Sequence, residues 1–170
     1  GSMLKGILNH CTKMDIKQSY VDTHGQSLLG FGFSNLFKFD LLPRLKRINR
    51  QKLYYWSGKD KSKYSNIEPI LEAPIDKKAI EENYHQAVKH AVALKIGSVE
   101  PEVMVKHLSS YNDNHPAYKA LIEIGKAAKT IFLCRYLSSE SLRIEIHAAL
   151  NVVERLNSIM HFIFYGKLGE

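Results

Sequence analysis

Residues 18–25 read QSYVDTHG, a short run typical of a β-strand that ends in a turn at a glycine. Asp22 lies where the predicted strand, Gln18 to Thr23, gives way to that turn. A second acid, Glu154, lies in the segment LNVVE (residues 150–154) on a predicted long helix. Two carboxylates from separate elements beside a basic surface are typical of a magnesium-dependent phosphoryl-transfer site on nucleic acid, because magnesium is a hard ion that prefers oxygen ligands. Such a site usually needs more than two carboxylates.

Asp22 and Glu154 also have simpler explanations. An aspartate at a strand end often only stabilises a turn by bonding its own backbone. Glu154 is predicted at the margin of an apolar helix face, where it either reaches a metal or pairs with Arg143, Arg155 or a lysine. At about 100° per residue, the side chains of this predicted helix form an apolar stripe and a second stripe beside it. The apolar one is Leu142, Ile146, Ala149, Val153 and Leu156, and the adjoining one is Arg143, His147, Leu150, Glu154 and Ser158.

The composition limits the class of protein. A chain of 170 residues with 45% hydrophobic content suits one domain with a core. The net charge of +7 favours an acidic partner, and nucleic acid before a membrane surface. Cys11 and Cys134 show no metal or redox spacing and fit a reducing cytosol, and the sequence has neither a signal peptide nor a membrane-length apolar run. We therefore expect a cytoplasmic protein; residues 1–3 look like the scar of a removed tag.

The local patterns predict a small α/β portion followed by a helical portion. In the first portion we expect helices at Leu4–Cys11 and Ser27–Phe37 and strands at Gln18–Thr23, Phe39–Leu45 and Lys52–Trp56. Pro43 argues for an edge position or a strand end, and Ser57–Asn66 is the best candidate for a loop.

Capping residues set the helices that follow. We expect helices from Asp76 to about Ile96 with Gly97 after it, from Ser98 with Pro101 in the first turn, from Asn114 with Pro116 to about Tyr136, and from Ser138 or Ser139 to roughly Ser158. Residues Phe162–Tyr165 are a short strand or a helix end.

A cluster of cations surrounds an aromatic run, Tyr54-Tyr55-Trp56. Cations together with aromatic rings suit a DNA backbone and unpaired bases, while the alternative is a solvated loop with a few packed aromatic side chains. The candidate DNA-binding residues are Arg44, Lys46, Arg47, Arg50, Lys52, Lys59, Lys61 and Lys63. A zinc site is not predicted, because His85 and His90 are five residues apart and miss the spacing that places a zinc pair on one helix face.

Four stretches together resemble one family. They are YVDTHGQS (20–27), FDLLPRLKRINRQKLY (39–54), HPAYKALIEIGKAAKTIFLCRYLSSESLRIEIHAALNVVERL (115–156) and FIFYGKLGE (162–170). They are similar to the carboxy-terminal catalytic region of the replicative transposases of the Tn3 family, which move bacterial class II transposons. The match covers nearly the whole chain, and an ordered set of segments is more specific than any short motif.

The resemblance implies a ribonuclease-H-like fold with an Asp-Asp-Glu triad. Asp22 matches the second aspartate and Glu154 the glutamate, while the first aspartate and the first three strands of the family's core would lie upstream of this chain. The expected fold is α/β and predominantly α, a partial ribonuclease-H-like core with a large helical insertion. The expected divisions are 4–56 for the partial core, 57–137 for the basic loop and helical insertion, and 138–170 for the helix of Glu154 and the tail.

The resemblance also implies a mechanism: strand cleavage and strand transfer with two magnesium ions about 3.5–4 Å apart. Asp22 and Glu154 would be metal ligands, Arg143 would contact a phosphate or hold Glu154, and His147 would be a supporting neighbour. The expected partners are transposon ends and target DNA in the bacterial nucleoid.

A chain without the first aspartate is expected to bind magnesium weakly and to be inactive in isolation. An uncovered strand edge is expected to favour a homo-oligomer. The alternative is a non-catalytic DNA-binding or oligomerisation module, left as a gene remnant.

Overall fold

The computed structural model describes residues 17–22, 26–56, 64–110 and 115–165, except for the side chain of Tyr165. In these ranges the chain is mostly helical with small parallel sheets, so the expectation of a predominantly α member of the α/β class is confirmed. The predicted helix at Leu4–Cys11 and most of the predicted loop at Ser57–Asn66 lie outside the described residues.

Four strands form two separate parallel pairs, β1 with β2 and β3 with β4. The strands are β1 Gln18–Val21, β2 Asp40–Pro43, β3 Leu53–Trp56 and β4 Leu71–Ile75. The helices are α1 Leu28–Leu36, α2 Lys77–Lys95, α3 Pro101–Ser110, α4 Pro116–Ser138 and α5 Glu140–Tyr165.

Local capping explains where several helices begin and end. Ser27 accepts a hydrogen bond from the backbone N–H of Gly30 at the start of α1, and Asp76 accepts one from Ala79 at the start of α2. Gly97 follows α2 with φ +72°, a left-handed conformation that glycine adopts without strain. At the start of α5, Ser139 Oγ accepts from the backbone N–H of Leu142. The predictions for Asp76, Gly97 and Ser139 are confirmed.

The structure corrects the expectation for Ser98. Ser98 donates back to the carbonyl oxygen of Ala93 and therefore closes α2 instead of capping the next helix. Asn114 lies outside the described residues, and His115, which directly precedes α4, makes no side-chain capping bond.

A second correction concerns β4, which lies within the segment expected to hold a basic loop and helices. The run LEAPI contains Pro74, and proline within a run argues against a strand because it cannot donate to the ladder. The structure places Pro74 opposite Tyr55, beside a register shift between Leu53 and Tyr55. The final helix was also underestimated: α5 continues to Tyr165 instead of ending near Ser158 and includes Phe162–Tyr165.

Helix α4 runs through both hydrophobic cores of the molecule. Its first half packs with α1, α2 and α3 around Phe33, Leu94 and Leu121, and its second half packs with the strands and α5 around Leu42 and Ile146. These five side chains are all 2% exposed or less. Because one helix belongs to both cores, the strands and the helical layer are fixed relative to each other.

Two glycines allow α1 and α4 to cross with their backbones in contact. A Cβ atom added to Gly32 of α1 would lie 2.3 Å from the carbonyl oxygen of Leu121, and one added to Gly125 of α4 would lie 2.0 Å from that of Leu28. Both distances are far below a van der Waals contact, so any side chain would separate the helices. The crossing holds α1, and β2 after it, against α4.

We therefore predict that Gly125→Ala lowers the free energy of unfolding by about 3 kcal/mol, the upper part of the usual cost of overpacking. The loss should appear although alanine favours a helix by about 1 kcal/mol over glycine. Gly97→Ala is the matched control, because a Cβ there meets no atom within 4 Å and only the positive φ is strained. Urea denaturation measures both, and a neutral or stabilising Gly125→Ala would contradict the close crossing.

Candidate functional site

The parallel pairing of β1 and β2 brings Asp22 next to Arg44. Val21 and Pro43 are the last residues of their strands and are partners in register, so Asp22 and Arg44 are the residues that follow. The backbone N–H of Arg44 donates to the carbonyl oxygen of Val21 at 2.9 Å, which extends the pairing to this point. Asp22 is exposed and lies at the carboxyl end of the pair, the edge at which ligands of open parallel sheets bind.

The side chain of Arg44 connects this sheet edge to the helix of Glu154. Nη1 donates to Glu154 Oε1 at 2.8 Å, and Nη2 donates to Asn151 Oδ1 at 2.9 Å. The Arg44 side chain is 20% exposed and that of Glu154 is 64% exposed. Asp22 and Glu154, which are 132 residues apart in sequence, therefore both lie beside one arginine.

One donor of the Arg44 guanidinium is buried and is not used by its contacts with α5. Its Nε is buried and has no hydrogen-bond partner within the described part of the chain. A buried donor without a partner is uncommon and costs free energy. Helix α5 thus holds the Arg44 guanidinium through Nη1 and Nη2, while Nε has no hydrogen-bond partner among the described residues.

The sequence predicts Arg44 as a DNA-binding residue and Arg143 as a possible partner of Glu154. In the structure Arg44 takes that part, and Arg143 instead donates to the carbonyl oxygens of Tyr136 and Leu137 at the end of α4. His147 is exposed; with Arg143 and Asn151 it lines a shallow depression on α5. The register of β1 and β2, by which Arg44 leaves its strand beside Asp22, is seen only in the structure.

Tyr20 of β1 forms a second connection to α5, which no pattern in the sequence indicates. Its hydroxyl donates to Glu145 Oε1, nine residues before Glu154 on the same helix. The hydrogen bond to the carboxylate, together with burial and the negative charge of Glu145, raises the pKa of Tyr20 to about 12. Two side chains, Arg44 and Tyr20, therefore set the position of Glu154 relative to the sheet edge.

The basic residues after β2 divide into three groups. Lys46, Arg47 and Arg50 are exposed on the turn and the short 3₁₀ helix that follow β2. Lys52 donates to the carbonyl oxygen of Pro69. The remaining candidates, Lys59, Lys61 and Lys63, lie outside the described residues.

Within the described ranges, no group of three or more His, Cys, Asp or Glu side chains is arranged to hold a metal ion. The rings of His90 and His107 lie beside His115, with centroid distances of 5.4 and 6.4 Å. Burial lowers the pKa of His115, and the two neighbouring histidines lower it further. The assignment of Asp22, at the sheet edge, and Glu154, on α5, as metal ligands therefore stays a prediction from the sequence.

None of the helices in the described part of the chain combines the length and the apolar character that crossing a bilayer requires.

Comparison with known proteins assigns the chain to a family. The family model of the Tn3 transposase DDE domain matches residues 1–170. The chain belongs to the Tn3 transposase DDE domain family.

Relatives in this family include three named transposases. The chain is 36% identical over 168 residues to the transposase for transposon Tn1546 of Enterococcus faecium, and 30% identical over 168 residues to that for transposon Tn501 of Pseudomonas aeruginosa. It is 24% identical over 168 residues to the transposase for transposon gamma-delta of Escherichia coli (strain K12). Each match covers 99% of this chain and 17% of the relative. The chain therefore spans about one sixth of the length of these relatives.

The pKa of Tyr20 generates a prediction about stability at high pH. A pKa raised from 10.0 to about 12 means that the folded state favours the protonated phenol. The stabilisation of the folded state by the protonated Tyr20 is fully present below pH 10 and is lost as the pH rises through 12. The free energy of unfolding should therefore fall more steeply with pH in this window for the unmodified chain than for Tyr20→Phe.

Urea denaturation at a series of pH values measures this difference. Tyr84→Phe is the matched control, since Tyr84 is 49% exposed, and it should preserve the steep fall. Parallel curves for the unmodified chain and Tyr20→Phe would show that the Tyr20–Glu145 bond does not form in solution.

Proposed function

We propose that this chain supplies an aspartate and a glutamate, Asp22 and Glu154, to the metal-dependent DNA cleavage and strand-transfer centre of a transposase. The observation that carries the proposal is the position of Arg44: its backbone N–H bonds Val21, the residue before Asp22, and its guanidinium binds Glu154. Membership of the transposase family supports DNA as the substrate. The proposal includes a ribonuclease-H-like core, of which β1, β2 and α5 would be the parts that hold these acids.

The donor set fits a hard divalent cation. Both carboxylates are exposed, so their oxygens are accessible, and magnesium prefers oxygen ligands. When bound, a metal pair would activate the attacking oxygen and stabilise the leaving oxygen. Two carboxylates are few for such a centre, and magnesium gives up its hydration water reluctantly. We therefore propose weak metal binding and negligible catalysis by this chain alone.

Arg44 holds the glutamate in position in the absence of metal. The ion pair neutralises Glu154, and the additional bond to Asn151 fixes the guanidinium against one turn of α5. The carboxylate of Glu154 would have to exchange this partner, at least in part, to bind a cation. The guanidinium would then be free to contact a DNA phosphate, which reconciles its observed ion pair with the DNA-binding role expected from the sequence.

Arg143 and His147 are proposed as supporting groups on the DNA side of α5. Both lie on the depression that also includes Asn151, the residue that Arg44 contacts. Arg143 is held by two backbone carbonyl oxygens, so its position is fixed before any ligand binds. A phosphate contact by Arg143 would use a guanidinium nitrogen other than Nη1.

We predict weak Mn²⁺ binding that depends on both acids. Calorimetric titration should show the binding lost in Asp22→Asn and in Glu154→Gln, because each variant removes a charged ligand while preserving size. Glu81→Gln is the matched control: Glu81 pairs with Lys77 on α2, and its side chain is 62% exposed. Equal binding by all four proteins would contradict the metal site.

A domain exchange tests the catalytic role directly. Replacing the matching segment of the Tn1546 transposase with this chain should give a hybrid that cleaves transposon ends in Mg²⁺, and Asp22→Asn or Glu154→Gln should abolish that activity. A hybrid whose activity survives both substitutions would overturn the assignment, and robust cleavage by this chain alone would overturn its proposed inactivity.

We further propose that the exposed cations after β2 bind the DNA backbone. Affinity should then fall with salt, with a log–log slope of about −0.9 for each phosphate contacted. Lys46→Gln and Arg50→Gln should each reduce the slope by about 0.9, while Lys77→Gln, an exposed ion-paired control on α2, should leave it unchanged. Fluorescence anisotropy with labelled duplex DNA measures the slope, and a flat salt response would exclude this interface.

Self-association through β1 is the last part of the proposal. Within the described residues β1 pairs with β2 on one edge alone, and an unpaired edge is a template for another strand. We expect light scattering to show a mass that rises with protein concentration. A constant monomeric mass over the whole range would contradict it.

A further inference from the structure

A cavity of about 300 Å³ lies between the β3–β4 pair and α4. Three consecutive aromatic residues of β3 line it, Tyr54, Tyr55 and Trp56, and Tyr64 lines it as well. The residues of the Asp22–Arg44–Glu154 site do not contribute to its wall. We refer to it as the aromatic cavity.

The aromatic cavity keeps large apolar side chains in contact with solvent. Trp56 is 45% exposed, Tyr64 46%, Ile67 39% and Ile131 60%, and all four line the same concave surface. Single exposed apolar residues are common on proteins and need no explanation, but a group of them around a cavity marks a binding site.

Cations lie beside the aromatic cavity. Lys52 directly precedes Leu53 in the cavity wall, and its ammonium contacts the carbonyl oxygen of Pro69, which lies between the wall residues Ile67 and Leu71. Arg50 is exposed two residues earlier. Two exposed acids lie nearby: Glu68 directly precedes Pro69, and Glu72 accepts a hydrogen bond from Tyr54 of the cavity wall. The ammonium of Lys126, 5.8 Å from the centroid of the Tyr54 ring, is a further cation beside the wall.

We propose that the aromatic cavity binds one unpaired base of a DNA strand, stacked on Trp56 and Tyr64, with the adjoining phosphate beside Lys52. The inference rests on the proposed DNA substrate and adds a second contact to it, separate from the metal ligands. Every base has a π face, so stacking on aromatic side chains tolerates any sequence. A base within a duplex is already stacked between its neighbours, so the site selects a base that has left the helix.

The occupant is a base and not an apolar side chain of another protein, because cations adjoin the aromatic wall. An apolar side chain gains nothing from the ammonium of Lys52, whereas a nucleotide carries a phosphate next to its base. Strand cleavage and transfer also produce unpaired bases where the strands separate, which gives the site a role in the proposed reaction.

Trp56 is the single tryptophan of the chain, so its fluorescence reports on the aromatic cavity alone. Three duplexes are compared: one with an extrahelical base, one with an abasic sugar at that position, and one that is fully paired. We expect the extrahelical base to quench Trp56 and to bind about fivefold or more tighter than the abasic probe, the lower end of what one stacked base contributes. The abasic and paired probes should leave the emission unchanged.

Variants separate stacking from charge. Anisotropy should show that Tyr64→Ala and Trp56→Ala remove the preference for the extrahelical base, while Trp56→Phe retains it. Ile96→Ala, which shortens a 72% exposed side chain after α2, should change nothing. Lys46→Gln should weaken all three probes equally, because it removes a phosphate contact and leaves the aromatic cavity intact. Circular dichroism verifies that each variant is folded.

The other possible outcomes distinguish the proposed base site from the proposed DNA-binding function. Salt-sensitive binding of all three probes with equal affinity and unchanged emission overturns the base site and leaves the DNA-binding function intact. Binding of no probe at low salt overturns both. Quenching by N-acetyl-leucinamide but not by a deoxynucleoside would assign the aromatic cavity to a protein side chain and also overturn the base site.

Discussion

The backbone contact between α1 and α4 at Gly32 and Gly125 is the constraint on which the arrangement of the molecule depends. No side chain separates the helices at this crossing. Helix α4 belongs to both hydrophobic cores, and α1 leads directly into β2, so the crossing determines where β2 lies along α4. The carboxyl end of β2, which carries Arg44, is therefore positioned by packing that lies far from the candidate site.

Polar contacts then fix the positions of the side chains at the candidate site. The sheet edge presents Asp22 and Arg44 together because parallel strands end on the same side, and α5 brings Asn151 and Glu154 to the guanidinium. An arginine whose side chain is four-fifths buried is a rigid holder for a carboxylate, because its planar fork binds two acceptors at once. The same arrangement explains how an exposed glutamate keeps a defined position.

Local signals in the sequence predicted much of the fold, and contacts between distant segments were beyond them. Asp76, Gly97 and Ser139 act on residues within a few positions, so their roles could be inferred from spacing. β4 was missed because Pro74 argues against a strand and its partner β3 lies across a crossover. The end of α5 was misplaced because the short apolar run Phe162–Tyr165 suits a strand as well as a helix, although the first glycine or proline after Ser158 is Gly166. The candidate acids came from resemblance, but Arg44, the ion-pair partner of Glu154, lies 110 residues from it in the sequence, a distance that no periodicity reveals.

The last residue of α5 that is buried is Leu150, and every side chain described after it, from Asn151 to Phe164, is exposed. Isolated helices shorter than about 12–15 residues are marginally stable in water. This part of α5 is therefore stabilised by its contacts with the rest of the molecule. Arg44 provides that tie at Asn151 and Glu154. Glu154 thus lies at the boundary between two parts of α5. Before it, amide hydrogen exchange requires global unfolding, and after it, exchange occurs by local fraying. A ligand that binds at Glu154 would move this boundary along the helix.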